Sequence, residues 1–140
     1  MTTDLAEFLR ARYGEARRAE EGKTQVKRDA PPYEIRYERG GEYAILDGHR
    51  IDAAEFWSAY GEPCPDPGVL ADLDSKLTIV KAHPITRDVI PESPDGRHGF
   101  GCATCHQDEG LIIDRGWCTT LRALGSIYAT HPDYREEWRL

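Results

Sequence analysis

Three cysteines fall within seventeen residues, as Cys102-Ala-Thr-Cys105 and then Cys118. Thiols at that spacing either hold a soft metal ion or exchange electrons. Glycines sharpen the reading. Gly99 and Gly101 precede the pair and Gly116 precedes Cys118, so the backbone can turn tightly enough for three sulfurs to approach one tetrahedral ion at about 2.3 Å. Cys118 also stands just before an expected helix start, where the positive end of the helix dipole favours thiolate. Three unrelated buried thiols would need neither the clustering nor the glycines. Zn2+ is therefore the expected cofactor, and a redox pair is the main alternative.

The run Cys102-Ala-Thr-Cys105-His106 also matches the pattern for covalent haem attachment. Against haem stand an unused Cys118, the polar stretch Gln107-Asp-Glu-Gly110 where an apolar pocket would be needed, and the lack of an export pattern at Met1-Thr2-Thr3-Asp4. A thioredoxin-like pair expects a strand before it and a helix opening at it, whereas this stretch reads as loop.

A closed site needs a fourth ligand. His131 lies thirteen residues after Cys118; across an unbroken helix that is roughly 20 Å, too far to share an ion. Cys64 and His83 bracket another helix at roughly 24 to 28 Å, so at most one of them can join. His49 belongs to an expected hairpin, and His106, next to Cys105, would reach the same ion only with strain. His83 and His98 remain. His83 ends a packed helix and is pre-positioned, while His98 or water stays open as an alternative. Four protein ligands leave no open position, so the expected ion is structural and not catalytic.

The elements that must position these residues can be read from periodicity. Thr3 or Asp4 can cap a helix over about 4–21 whose apolar side is Leu5, Phe8, Leu9, Tyr13 and Ala16. Pro31-Pro32 ends the polar stretch that follows. Tyr33 to Tyr37 alternates with period two, Gly40-Gly41 and Asp47-Gly48 supply turns, and a small antiparallel sheet over about 33–51 is expected. Ala53 to Tyr60 reads as a short helix. Asp66-Pro67 opens another that runs to about Ala82, with Leu70, Leu73, Leu77 and Val80 inward. Residues 84–101 read as a long irregular loop, Leu111 to Ile113 as a strand, and Thr119 or Thr120 as the cap of a last helix burying Leu121, Leu124, Ile127 and Tyr128. His131-Pro-Asp-Tyr134 and Trp138 staple the tail to the core. The expected fold is α+β: a small antiparallel hairpin sheet, three main helices and a zinc-anchored loop.

Length and charge bound the rest. A chain of 140 residues suits one domain, 1–140, burying roughly 70% of its unfolded surface. Its mean hydropathy is −0.64, and no apolar run approaches the ~20 residues of a membrane helix. Together with the missing leader pattern, this places the chain in the cytoplasm. The net charge is −7, with nine Lys/Arg against seventeen Asp/Glu after residue 40, which opposes broad nucleic-acid binding. Arg10, Arg12, Arg17 and Arg18 are interleaved with acids and read as a solvated helix face. No catalytic constellation emerges: Gly22-Lys23-Thr24 lacks the first glycine and preceding strand of a phosphate loop, no Gly-x-Ser-x-Gly occurs, and Asp108 and Glu109 lack the His-x-Glu partner of a zinc deaminase.

The segment from Asp66-Pro-Gly-Val-Leu to His83, Cys102-x-x-Cys105, Cys118-Thr-Thr-Leu-Arg-Ala-Leu124 and Tyr128-Ala-Thr-His-Pro-Asp-Tyr-Arg-Glu-Glu-Trp138 together resemble an uncharacterised family of actinobacterial and actinobacteriophage proteins, a domain of unknown function. Leu5-Ala-Glu-Phe-Leu-Arg-Ala-Arg12 is similar too. The resemblance covers about the first 20 and last 75 residues and leaves 23–60 unmatched. Its His, Cys-x-x-Cys, Cys order implies His83 as fourth ligand beside Cys102, Cys105 and Cys118, and a phage or mobile-element setting; it implies no activity. The expected function is a zinc-stabilised accessory module that binds another protein. A zinc-dependent or thiol-redox enzyme is the alternative, and an acidic DNA mimic a third reading.

Overall fold

A computed structural model describes residues 4–87, 99–112 and 116–140. The expected loop over 84–101 therefore lies largely outside the described residues, as does the candidate ligand His98. The fold is α+β, with four helices and several small antiparallel sheets. The chain divides into two compact units, Met1–Arg17 with Leu70–Leu140, and Arg18–Val69. Among the described residues no helix is long and apolar enough to cross a membrane.

In the first unit, helix α1 (Leu5–Glu21, its last turn assigned to the second unit) begins at Asp4. The Glu7 N–H donates to Asp4 Oδ1 at 2.6 Å and the Asp4 N–H to Glu7 Oε2 at 3.4 Å, a reciprocal cap that settles the choice between Thr3 and Asp4. Leu5, Phe8, Leu9 and Tyr13 are buried at the expected spacing, and Ala6 joins them. Ala16 is exposed, a correction to the expected stripe. Helix α3 (Pro67–Ala82) buries Leu73 and Val80 and half-buries Leu70 and Leu77. Asp66 Oδ1 accepts the Gly68 N–H at 2.8 Å at its start.

Helix α4 (Thr119–Gly125) starts one residue earlier than a Thr cap would require. Its N-cap is Cys118, whose side chain makes no capping hydrogen bond. Beyond Gly125 the chain tightens into a 3-10 turn, Ser126–Tyr128. The turn changes the angular step per residue and throws Ile127 outward, 66% exposed, where helical periodicity expected it inward. Leu121 is buried as expected. The tail ends in a second 3-10 turn, Glu136–Trp138. Trp138 is fully buried, with its ring centroid 5.0 Å from Phe8 and 5.6 Å from Tyr134, so the tail is indeed stapled to the core.

The second unit carries strands β1 (Thr24–Val26), β2 (Tyr33–Glu38), β3 (Gly41–Leu46), β4 (His49–Asp52) and β5 (Gly61–Pro63), and helix α2 (Ala53–Tyr60). The expected sheet is present in the order β2-β3-β4, with Tyr33 opposite Leu46 and Ala44 opposite Ile51. Asp47 and Gly48, with φ of 50° and 82°, make the tight turn between β3 and β4 that only such residues adopt cheaply. Asp52 caps α2 through Ala54 N–H at 3.2 Å. Phe56 and Ala44 are fully buried, and the ring centroids of Tyr33 and Tyr60 lie 5.4 Å and 5.6 Å from that of Phe56. The stretch after Gly22, expected as polar loop, contains β1 paired antiparallel with β5. Glu20, almost wholly buried, accepts from Lys23 Nζ at 2.7 Å and from the Asp66 N–H at 2.9 Å. Those two bonds hold its carboxyl below the usual range.

Candidate metal centre

Three segments of the first unit meet at one point. His83 follows the last residue of α3, its N–H bonded to Val80 O at 3.2 Å. The chain continues into β6 (Ile85–Thr86), which pairs antiparallel with β7 (Gly101–Cys102), placing Ile85 opposite Cys102. Ala103 N–H donates to Pro84 O at 2.9 Å and Thr104 Oγ1 to Ala82 O at 2.5 Å, so the turn after β7 is fastened to the end of α3. A short hairpin, β8 (Gln107–Asp108) and β9 (Leu111–Ile112), turns through Glu109 and Gly110. Cys118 enters as the N-cap of α4.

The result is a group of His83, Cys102, Cys105 and Cys118 whose ligand atoms all lie within 4.8 Å of one another. His83 Nδ1 is 3.2 Å from Cys105 Sγ, 3.5 Å from Cys102 Sγ and 3.8 Å from Cys118 Sγ. One imidazole lone pair cannot accept three hydrogen bonds at once. By contrast, a tetrahedral ion with Zn–S near 2.3 Å and Zn–N near 2.05 Å puts nitrogen and sulfur about 3.6 Å apart. The donor set and spacing are those of a site for a metal ion.

Backbone donors favour thiolate at these sulfurs, whereas burial opposes it. Cys105 N–H donates to Cys102 Sγ at 3.3 Å, a bond that stabilises negative sulfur. Cys105 Sγ lies 3.9 Å from Thr120 Oγ1. Cys102 and Cys118 are buried, whereas Cys105 is exposed. Burial pushes the Cys118 thiol up to about 11, the backbone N–H of Leu121 opposes the rise, and the neighbouring Cys102 and Cys105 sulfurs add to it. A divalent cation bound among them would reverse that balance, because its charge would stabilise the buried thiolates directly.

The other candidates fall elsewhere. His131 stays out of the group, but not because of an unbroken helix, since α4 ends at Gly125; its Nε2 meets Arg12 Nη1 and its ring packs edge-on at 5.5 Å from Phe8. Cys64 lies in the second unit, its N–H bonded to Lys23 O at 2.9 Å. His49 opens β4 and is exposed. His106 has a task that sequence reasoning missed. Its Nδ1 accepts the Cys102 N–H at 2.9 Å and its own N–H donates to Cys102 O at 3.1 Å, closing the knuckle around the first two thiols. Its place directly after Cys105 was the available signal.

With the geometry in view, the chain can be compared with known proteins. A family described as "Family of unknown function (DUF6221)" has a sequence model that matches residues 2–140. The chain belongs to this family. The DUF6221 match runs through residues 23–60, where the first and last segments alone had suggested nothing. Comparisons with curated proteins and with solved structures found no match.

Proposed function

We propose that His83, Cys102, Cys105 and Cys118 hold one Zn2+ in a closed tetrahedral shell, and that this DUF6221 protein is a zinc-stabilised module that binds another protein. The observation that carries the reading is the three sulfurs at 3.2 to 3.8 Å from one imidazole nitrogen. Four protein donors fill a tetrahedron, so the ion is structural: it ties the end of α3 and the β6–β7 pair to the start of α4. Three thiolates with one imidazole select zinc over hard cations such as Mg2+ or Ca2+. A cytoplasmic, reducing setting keeps such thiols available. The resemblance on which the sequence reading drew adds an actinobacterial, phage or mobile-element context.

One observation favours a second reading. Cys105 is exposed while its two partners are buried, which suits a thiol that meets an oxidant first and so a redox role. Anaerobic purification followed by metal analysis of wild type, His83→Ala and Cys118→Ser separates the two. One zinc per chain, lost in both variants, with thiols inert while it is bound, supports the structural module. A metal-free chain that cycles between dithiol and disulfide overturns it.

A further inference from the structure

The walls of a cleft are built from residues that directly flank two of the metal-site cysteines. Phe100 stands two residues before Cys102 and Trp117 one before Cys118. Their ring centroids are 4.7 Å apart at 55°. Gly116 N–H donates to Phe100 O at 2.7 Å, and Gly116 has φ of 87°, a conformation that a side chain there would strain. Phe100, Trp117, Arg122 and Glu137 line a cavity of about 390 Å³. A second cavity of about 210 Å³ shares Phe100, Trp117 and Glu137, lacks Arg122, and adds Arg87 and Arg135 together with Asp4 and Ile85.

Three arginines beside two partly accessible rings are notable in a chain whose net charge is −7. Among the described residues none of the three guanidinium groups makes a tight carboxylate pair, although Arg135 also lies over the Trp138 ring at 5.6 Å. Arg122 Nε donates weakly to Trp138 O at 3.4 Å. The contact of Arg135 Nη1 with Glu137 Oε1 is 3.7 Å, too long for a good hydrogen bond. Arg87 is exposed. Guanidinium forks match phosphate oxygens, and an aromatic face takes a nucleobase by stacking. A carboxylate among them can accept the amino N–H groups of a base.

We propose that the Phe100–Trp117 cleft binds a nucleotide, with the base stacked on the aromatic pair and the phosphate met by Arg122 in the first cavity, or by Arg87 and Arg135 in the adjoining one. The proposal rests on the zinc reading in one respect: an ion holding Cys102 and Cys118 fixes the two rings, and Arg122 is tied to Cys118 by a backbone bond of 3.1 Å. A free mononucleotide and one unit of a single strand offer the same chemistry.

The test titrates the zinc-loaded full chain by calorimetry with AMP, GMP, adenosine, inorganic phosphate and an eight-residue oligothymidylate. Arg122→Gln, Arg87→Glu and Trp117→Leu are tested alongside, each checked for zinc content and helix signal. Saturable binding is expected, weaker by about tenfold or more in the Trp117 and Arg122 variants, with adenosine and phosphate each binding far less than AMP. Binding of AMP identifies a free nucleotide as the source, and binding of the oligomer alone identifies a strand. Because Trp117 packs on the core, the exposed Arg87→Glu variant keeps the test decisive if Trp117→Leu fails to fold. A zinc-loaded chain that binds none of AMP, GMP and the oligomer, or binds them equally well in all variants, overturns the cleft and leaves the metal site standing. A zinc-free chain that still binds AMP through Arg122 overturns the ion's part in fixing the rings and leaves the cleft standing.

Discussion

His106 Nδ1 accepts the backbone N–H of Cys102 at 2.9 Å, so the residue after the Cys-x-x-Cys pair locks the first thiol's backbone in place without belonging to the group of four candidate ligands. Groups that orient ligands in this way are typically worth about 10- to 100-fold in metal affinity. His106→Ala is therefore expected to weaken zinc binding by that range while retaining the ion at stoichiometric metal, and His106→Gln, with an acceptor oxygen, to recover part of it. Competition against a chromophoric chelator measures both. Unchanged affinity in His106→Ala would show that the hydrogen bond does not support the site.

Removing the ion should cost far more than removing its support. Apparent zinc binding energies of about 10 kcal/mol or more match the whole stability of a domain, and Cys102 and Cys118 are both part of the buried cluster of the first unit. Chelation or Cys102→Ser is expected to unfold α4 and the segments around it, with loss of amide protection from β7 to α4. Retention of the full helix signal and melting temperature after chelation excludes a structural ion.

Two apolar residues near the C-terminus should differ sharply. Trp138 is fully buried against Phe8 and Tyr134, and Trp138→Ala is expected to cost about 3–5 kcal/mol. Ile127, turned outward by the 3-10 geometry, should tolerate Ser within about 0.5 kcal/mol. Urea unfolding of the two variants compares them directly, and equal costs would contradict the placement of the 3-10 turn.

Tyr13 is 1% exposed, and among the described residues nothing hydrogen-bonds its hydroxyl. Burial pushes its pKa up to about 12, with Tyr128 and Asp72 contributing charge repulsion. The unfolded phenol ionises near pH 10 while the folded one does not. Stability from this group is therefore complete below pH 10 and falls as pH rises towards 12, by up to about 2–3 kcal/mol. Tyr13→Phe should be neutral or stabilising by about 1 kcal/mol at pH 7, since it removes a buried unpaired hydroxyl, and should abolish that alkaline loss. Denaturant melts at pH 8, 10 and 11.5 read both effects.

Glu20 behaves oppositely. Bonds from Lys23 and the Asp66 N–H lower its pKa, so its stabilising contribution is present above the ordinary carboxylate pKa and is lost as pH falls through the lowered value. Glu20→Gln should flatten the acid limb of the stability profile of residues 18–69, measured by hydrogen exchange from pH 3 to 6. An acid limb identical to wild type would remove Glu20 as its source.

Local rules carried much of this molecule. The start of α1 at Asp4, the extent of α2 and α3, the Asp47-Gly48 turn and the Cys-x-x-Cys pair follow from capping chemistry, apolar spacing and positive-φ residues, all properties of neighbours in the chain. Where a residue's neighbours come from afar, sequence periodicity fell short. The pairing of β1 with β5 joins Val26 to Gly61, and no local pattern encodes a partner thirty-five positions away. Of the Glu109-Gly110 hairpin only the second strand was legible, from the apolar run that begins at Leu111; the first, Gln107–Asp108, is too short and polar to announce itself. Ile127 faces out because the chain passes from α4 into a 3-10 turn at Ser126, a change of step that the apolar spacing of 121–128 does not announce. The choice of His83 could be argued from its place after a packed helix, yet only the β6–β7 pairing and the fastening of Thr104 to Ala82 bring three sulfurs to its Nδ1. The sequence by itself determined which atoms were available as ligands. Tertiary structure decided which of them converge, because convergence depends on hydrogen bonds between segments up to twenty-two residues apart, and those are paid for by the packing of the whole unit.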